Sequence, residues 1–117
     1  MTGKNLIAIL GLGKGSWGHI ARLISEHEWN KIYLISNEWG RENFDSSKDV
    51  EWVLVDNQTS FDLLVKAVEE RLPAEEEASV SLISGSGKEH IALLTALKNK
   101  GIKYDLIIIT GEGTKNI

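Results

Sequence analysis

Eleven glycines are spread over 117 residues, and eight of them fall in three short stretches. Two of these stretches carry side chains able to hold an anion: Gly11-Leu-Gly13-Lys14-Gly15-Ser16-Trp17-Gly18 and Ser84-Gly85-Ser86-Gly87-Lys88. Glycine permits positive φ and lets a ligand approach the backbone closely. Serine hydroxyls donate to phosphate oxygens, and Lys14 and Lys88 supply ammonium charge. Where such a loop opens a helix, free N–H groups and the helix dipole favour an anion further. A small phosphate-bearing nucleotide is the expected ligand. The candidate binding residues are Gly11, Gly13, Lys14, Gly15, Ser16, Trp17, Ser84, Gly85, Ser86, Gly87, Lys88 and His90.

The same residues have a purely structural reading. Glycines make tight strand-to-helix turns, and serine at a helix start is commonly an N-cap. Trp17 is placed either to stack on a base or to plug the crevice as a hydrophobic lid. His19 and His90 sit near helix starts, where each is a candidate donor or general acid or an idle surface ring. These groups can hold a ligand, but none is an evident general base, so no catalytic residue is assigned. Three histidines without ligand spacing and no cysteine give no metal site, and no cofactor is assigned.

Gly13-Lys-Gly-Ser-Trp-Gly18 formally matches G-x-G-x-x-G, and Glu38 lies twenty residues beyond Gly18, where an acidic side chain would hold a ribose. A dinucleotide-binding protein, of the NAD(P) kind, is therefore one alternative reading. The P-loop pattern fails, because Lys88 is followed by Glu89 and not by a magnesium-binding hydroxyl.

The elements that must position these loops are legible from hydrophobic periodicity. Five short apolar runs, Leu6–Leu10, Lys31–Ile35, Trp52–Val55, Val80–Ile83 and Leu106–Ile109, suit strands buried on both faces. Apolar residues spaced by three and four predict helices over Ile20–His27, Phe61–Leu72 and Ile91–Lys100. Trp39–Asp49 lacks such a stripe and reads as a loop. The alternation predicts one α/β domain over 1–117: a Rossmann-like, three-layer fold around a five-stranded, mainly parallel sheet of order 3-2-1-4-5. Strands one and four are then neighbours whose connections diverge, which opens a ligand crevice at their carboxyl ends.

Ser84-Gly-Ser-Gly-Lys88-Glu-His-Ile-Ala-Leu-Leu-Thr-Ala-Leu after strand four, with a glycine-rich loop after strand one, resembles the CRISPR-associated Rossmann fold (CARF) family. Ser84 and Lys88 match the last two positions of that family's second motif, while Leu82 departs from its acidic or amide position. The resemblance implies a homodimeric sensor domain that binds a cyclic oligoadenylate across the dimer axis. In some members it also implies metal-independent ring cleavage by attack of a 2′-hydroxyl on the adjacent phosphate.

Seventeen acidic against thirteen basic side chains leave a net charge of −4, which disfavours duplex nucleic acid. With no leader-like segment and no long apolar run, a cytoplasmic protein with no membrane partner is the expectation. Counting helices against sheet faces predicts a homodimer. The face holding only the Ile20–His27 helix would leave apolar side chains of strands four and five uncovered, and self-association would close it. An interaction module without a ligand is the remaining alternative.

Overall fold

The computed structural model describes residues 4–11, 14–56, 59–74 and 76–117, with Lys14 described by its backbone. In chain order the elements are β1 (Asn5–Ile9), a 3₁₀ turn (Lys14–Ser16), α1 (Trp17–Glu26), β2 (Ile32–Ser36), α2 (Glu38–Asn43), β3 (Glu51–Leu54) and α3 (Phe61–Arg71). They continue with β4 (Ala78–Ser81), α4 (Gly87–Asn99), β5 (Tyr104–Thr110) and β6 (Gly113–Asn116). The strands form one sheet of order β3-β2-β1-β4-β5-β6. The first five are parallel, with Leu6 opposite Ile32 and Ser79, while β6 returns antiparallel to β5. The chain is thus a Rossmann-like α/β domain.

The pleat of β1 builds both halves of the core, because successive side chains point to opposite faces. Ile7 and Ile9 pack with Val80 under Leu64, Val68, Leu93 and Leu97 of α3 and α4. Leu6, Ala8 and Leu10 pack on Ile20, Leu23 and Ile24 of α1 and on Trp17 and Phe44. All five β1 residues are buried, which is why Leu6–Ile9 is continuously apolar, and the buried Asn5 side chain donates to Glu76 and accepts from Asn30. Ser60 caps α3 by accepting from the Leu63 amide, and Pro73 follows its end.

Four expectations are corrected. The Trp39–Asp49 stretch does not stay a loop, since its first part lies in the six-residue helix α2. Asn37 caps that helix by accepting from the Gly40 amide at 2.8 Å, and Arg41 pairs with Glu38. Only Gly40 of α2 is buried, so no apolar stripe announces it. The sheet gains a sixth strand, because Gly111-Glu112 makes a two-residue turn that folds the chain back on β5. Helices α1 and α4 begin three and four residues earlier than their stripes, at Trp17 and Gly87, so Lys88 and His90 are helical and not in a loop.

The last correction concerns which face is uncovered. On the α1 side, Ile107 is buried and Ile109 packs against the core. His19 Nε2 accepts from the Ile109 amide at 3.0 Å, and the His27 ring meets Thr114 Oγ1 at 2.8 Å, so α1 is tied to the β5–β6 hairpin. At this end of the sheet the exposed apolar side chains Ile91, Tyr104 and Ile117 lie on the α4 side instead. No helix among the described residues is long and apolar enough to cross a membrane.

Candidate functional site

A cleft of about 410 Å3 opens at the carboxyl ends of the strands, where the connections of β1 and β4 diverge. Leu10 and Gly11 line it from β1, Ser16 from the turn before α1, Asn37 from β2 and Val55 from β3. Ile83, Ser84, Gly85, Ser86 and Glu89 line it from the β4–α4 side.

The two glycine-rich loops touch each other at its floor. The Gly11 amide donates to Ser84 Oγ at 2.8 Å, and Ser84 is 4% exposed. A Cβ on Gly11 would lie 2.8 Å from the Gly85 amide nitrogen, so only glycine lets the backbones approach this closely. Gly85 has φ of +98°, and a Cβ there would meet Ile9 Cγ2 at 2.5 Å. Gly15 and Gly87 have open space around them, so nothing in the fold requires glycine at either position.

The two helix N-termini beside the cleft are built differently. At α4, Ser86 Oγ accepts from the Glu89 amide, and the Glu89 carboxylate accepts from the Ser86 amide at 2.7 Å, a complete capping box. A carboxylate of the chain itself therefore occupies the anion position. At α1 the 3₁₀ turn Lys14–Ser16 runs straight into the helix, Ser16 makes no side-chain cap hydrogen bond, and the first turn holds no acidic residue. Ser16 lines the cleft at this helix end, where backbone dipole favours an anion.

The structure brings together Gly11, Ser16, Ser84, Gly85 and Ser86 of the residues singled out by sequence. Gly13 and the Lys14 side chain lie outside the described residues. Lys88 Nζ donates to the Thr59 carbonyl at 2.5 Å and does not line the cleft. His90 Nε2 donates to the Ser84 carbonyl at 2.9 Å, which holds the second loop from behind. Trp17 is placed as the internal plug: it is 8% exposed, donates its indole N–H to the Gly11 carbonyl at 2.9 Å, and packs on Trp39 and Phe44. It supports the first loop from below and does not line the cleft.

Glu38 is turned to Arg41, and its neighbour Asn37 lines the cleft in its place. The sequence reading missed Leu10, Asn37, Val55, Ile83 and Glu89. Their signal was positional, since Leu10, Val55 and Ile83 end apolar strand runs, Asn37 follows one, and Glu89 stands three residues after a serine N-cap. Burial holds the His19 imidazole below its ordinary range, and Arg22 adds to the effect. No group of three or more potential metal-binding side chains occurs among the described residues.

No family model matches the chain, and no curated protein matches it. Among solved structures it is similar to a short-chain dehydrogenase/reductase (ethylated) from Veillonella parvula DSM 2008. The TM-score is 0.50 at 19% identity, over 87% of this chain and 46% of that one. The likeness is one of fold, and this chain spans less than half the length of that structure.

Proposed function

We propose that the cleft binds a nucleotide, with its phosphate at the N-terminus of α1 and its nucleoside along Asn37, Val55 and Ile83. The asymmetry of the two helix N-termini carries this reading. Ser16 lines the cleft with no cap hydrogen bond from its side chain and no acidic residue in the first turn of α1, whereas Glu89 fills the equivalent place at α4 and repels an anion there. Asn37 uses its Oδ1 on the Gly40 amide, which leaves its amide N–H groups to donate to a ribose. Val55 and Ile83 offer apolar surface to a base. The dehydrogenase-like fold supports a dinucleotide as readily as a mononucleotide.

A cyclic oligoadenylate is the second reading, favoured by Ser84, which sits at the matched motif position and lines the same cleft. In that reading Lys88 must release the Thr59 carbonyl to reach a phosphate, and two copies of the chain must share the ligand.

Calorimetry with AMP, ATP, NAD and cyclic tetra-adenylate separates the two. The first reading expects a linear nucleotide to bind, a Ser16→Ala loss of about tenfold, and no effect of Lys88→Ala. Binding by cyclic tetra-adenylate alone, abolished by Lys88→Ala, would replace it with the second. Silence of all four ligands rejects both and leaves an interaction module.

A further inference from the structure

A second surface, which adjoins the cleft at Ile83, bears on what the chain assembles with. Beyond β5 a right-handed crossover to a further parallel strand would set a helix beside α4, on the same face of the sheet. This chain turns back as β6 instead, so among the described residues no helix lies over this part of the sheet, and its side chains are only partly buried. Leu106 and Ile108 project on that face, and Ile117 joins them by pairing with Leu106 through both backbone hydrogen bonds. Ile117 is 72% exposed and Ile91, across the gap on α4, is 58% exposed. Between α4 and β5 lies a hollow of about 510 Å3 lined by Ile91, Leu94, Thr95, Lys98 and Tyr104.

The charge at this groove runs against the charge of the molecule. The chain carries −4 overall, yet the charged side chain lining the hollow is Lys98, and Lys115 stands cross-strand from Ile108 on the same face. Neither lysine is ion-paired among the described residues. A two-fold contact through this patch would bring lysine-bearing surfaces together, because an isologous interface presents the same patch from both copies.

We propose that this groove is a docking site for an amphipathic α-helix of a partner protein, apolar on one side and flanked by acidic residues. The groove has the place and the apolar character of a missing layer helix, and its lysines select acidic flanks.

Fluorescence anisotropy with two labelled peptides of about 18 residues, long enough for a helix of about 27 Å, tests this. Both carry a leucine stripe, one with glutamate flanks and the other with lysine flanks. The chain is expected to bind the glutamate peptide at least about tenfold tighter, although its net charge alone favours the lysine peptide. Lys98→Glu with Lys115→Glu should invert that preference. Ile91→Ser with Ile117→Ser should weaken the glutamate peptide by at least about tenfold, with the circular dichroism unchanged because both positions are exposed. Absence of saturable binding, or equal affinity for both peptides, overturns the proposal. So does sedimentation at twice 13.0 kDa that reverts to 13.0 kDa in the isoleucine double variant, which would give the face to a second copy. None of these readouts involves a nucleotide, so the docking site and the cleft stand or fall separately.

Discussion

The two strand-to-helix junctions that meet in the cleft look alike as sequence and differ as structures. Each pairs glycines with a serine at the helix start and a histidine in the first turn. At α4 the junction is closed on itself: Ser86 and Glu89 cap each other and His90 holds the Ser84 carbonyl. At α1 the serine caps nothing, and the histidine looks away from the cleft to the Ile109 amide. One junction uses its serine and histidine to close on itself, and the other ties its histidine to β5 and leaves the Ser16 side chain without a cap hydrogen bond. Glycine and serine in a βα loop therefore mark a site only where the helix end is not already satisfied from within.

The comparison can be tested first at the loop contact. Gly85→Val combines a positive φ with a clash against Ile9, and the expected loss is roughly 3 kcal/mol by urea unfolding. Gly87→Ala, with open space and an ordinary φ, should leave stability unchanged or slightly raised. Equal losses would show that the glycines are not distinguished by backbone geometry.

Ser84→Ala should follow in size. It leaves the Gly11 amide without its acceptor in a nearly buried place, which costs about 1–3 kcal/mol.

The two helix-start serines should then separate. Ser86→Ala removes half of the capping box and should cost about 1 kcal/mol, whereas Ser16→Ala should stay within about 0.5 kcal/mol and act on nucleotide affinity instead. Similar stability losses at both serines would break the asymmetry on which the proposed site rests.

The smallest effect expected is a pH dependence from the α1 histidine. His19 accepts a hydrogen bond through Nε2, which needs the neutral ring, and burial holds its native pKa below the ordinary value near 6.5. The unfolded chain therefore takes up this proton first as the solution is acidified. The stability it contributes is complete above about pH 6.5 and declines as pH falls through that value toward the native pKa. Urea midpoints at about pH 7.5 and about pH 5.5 should differ in the native chain, and the difference should shrink in His19→Gln. Asp105 belongs to a more acidic window. Burial raises its pKa, but hydrogen bonds from Lys4, Ser79 and Asn116 outweigh that and hold it below the usual carboxylate range.

The sequence by itself determined a mainly parallel sheet, because strands buried on both faces must be continuously apolar, whereas right-handed crossovers allow more than one strand order and the folded chain takes β3-β2-β1-β4-β5. It also located both glycine-rich loops at one end of that sheet, where the cleft lies. Periodicity could not show α2, which is held by its cap and by packing of Trp39 on Trp17 and buries almost nothing of its own. Nor could it show β6, whose Gly-Thr-Lys-Asn has no strand-like alternation and exists through backbone pairing with β5. The division of labour inside the site was likewise tertiary. Lys88 reads as a phosphate ligand until a carbonyl 29 residues away takes its ammonium group, and Trp17 reads as a stacking ring until the core closes over it. Residue type says what a side chain can bond to, and only the folded chain decides which partner reaches it first.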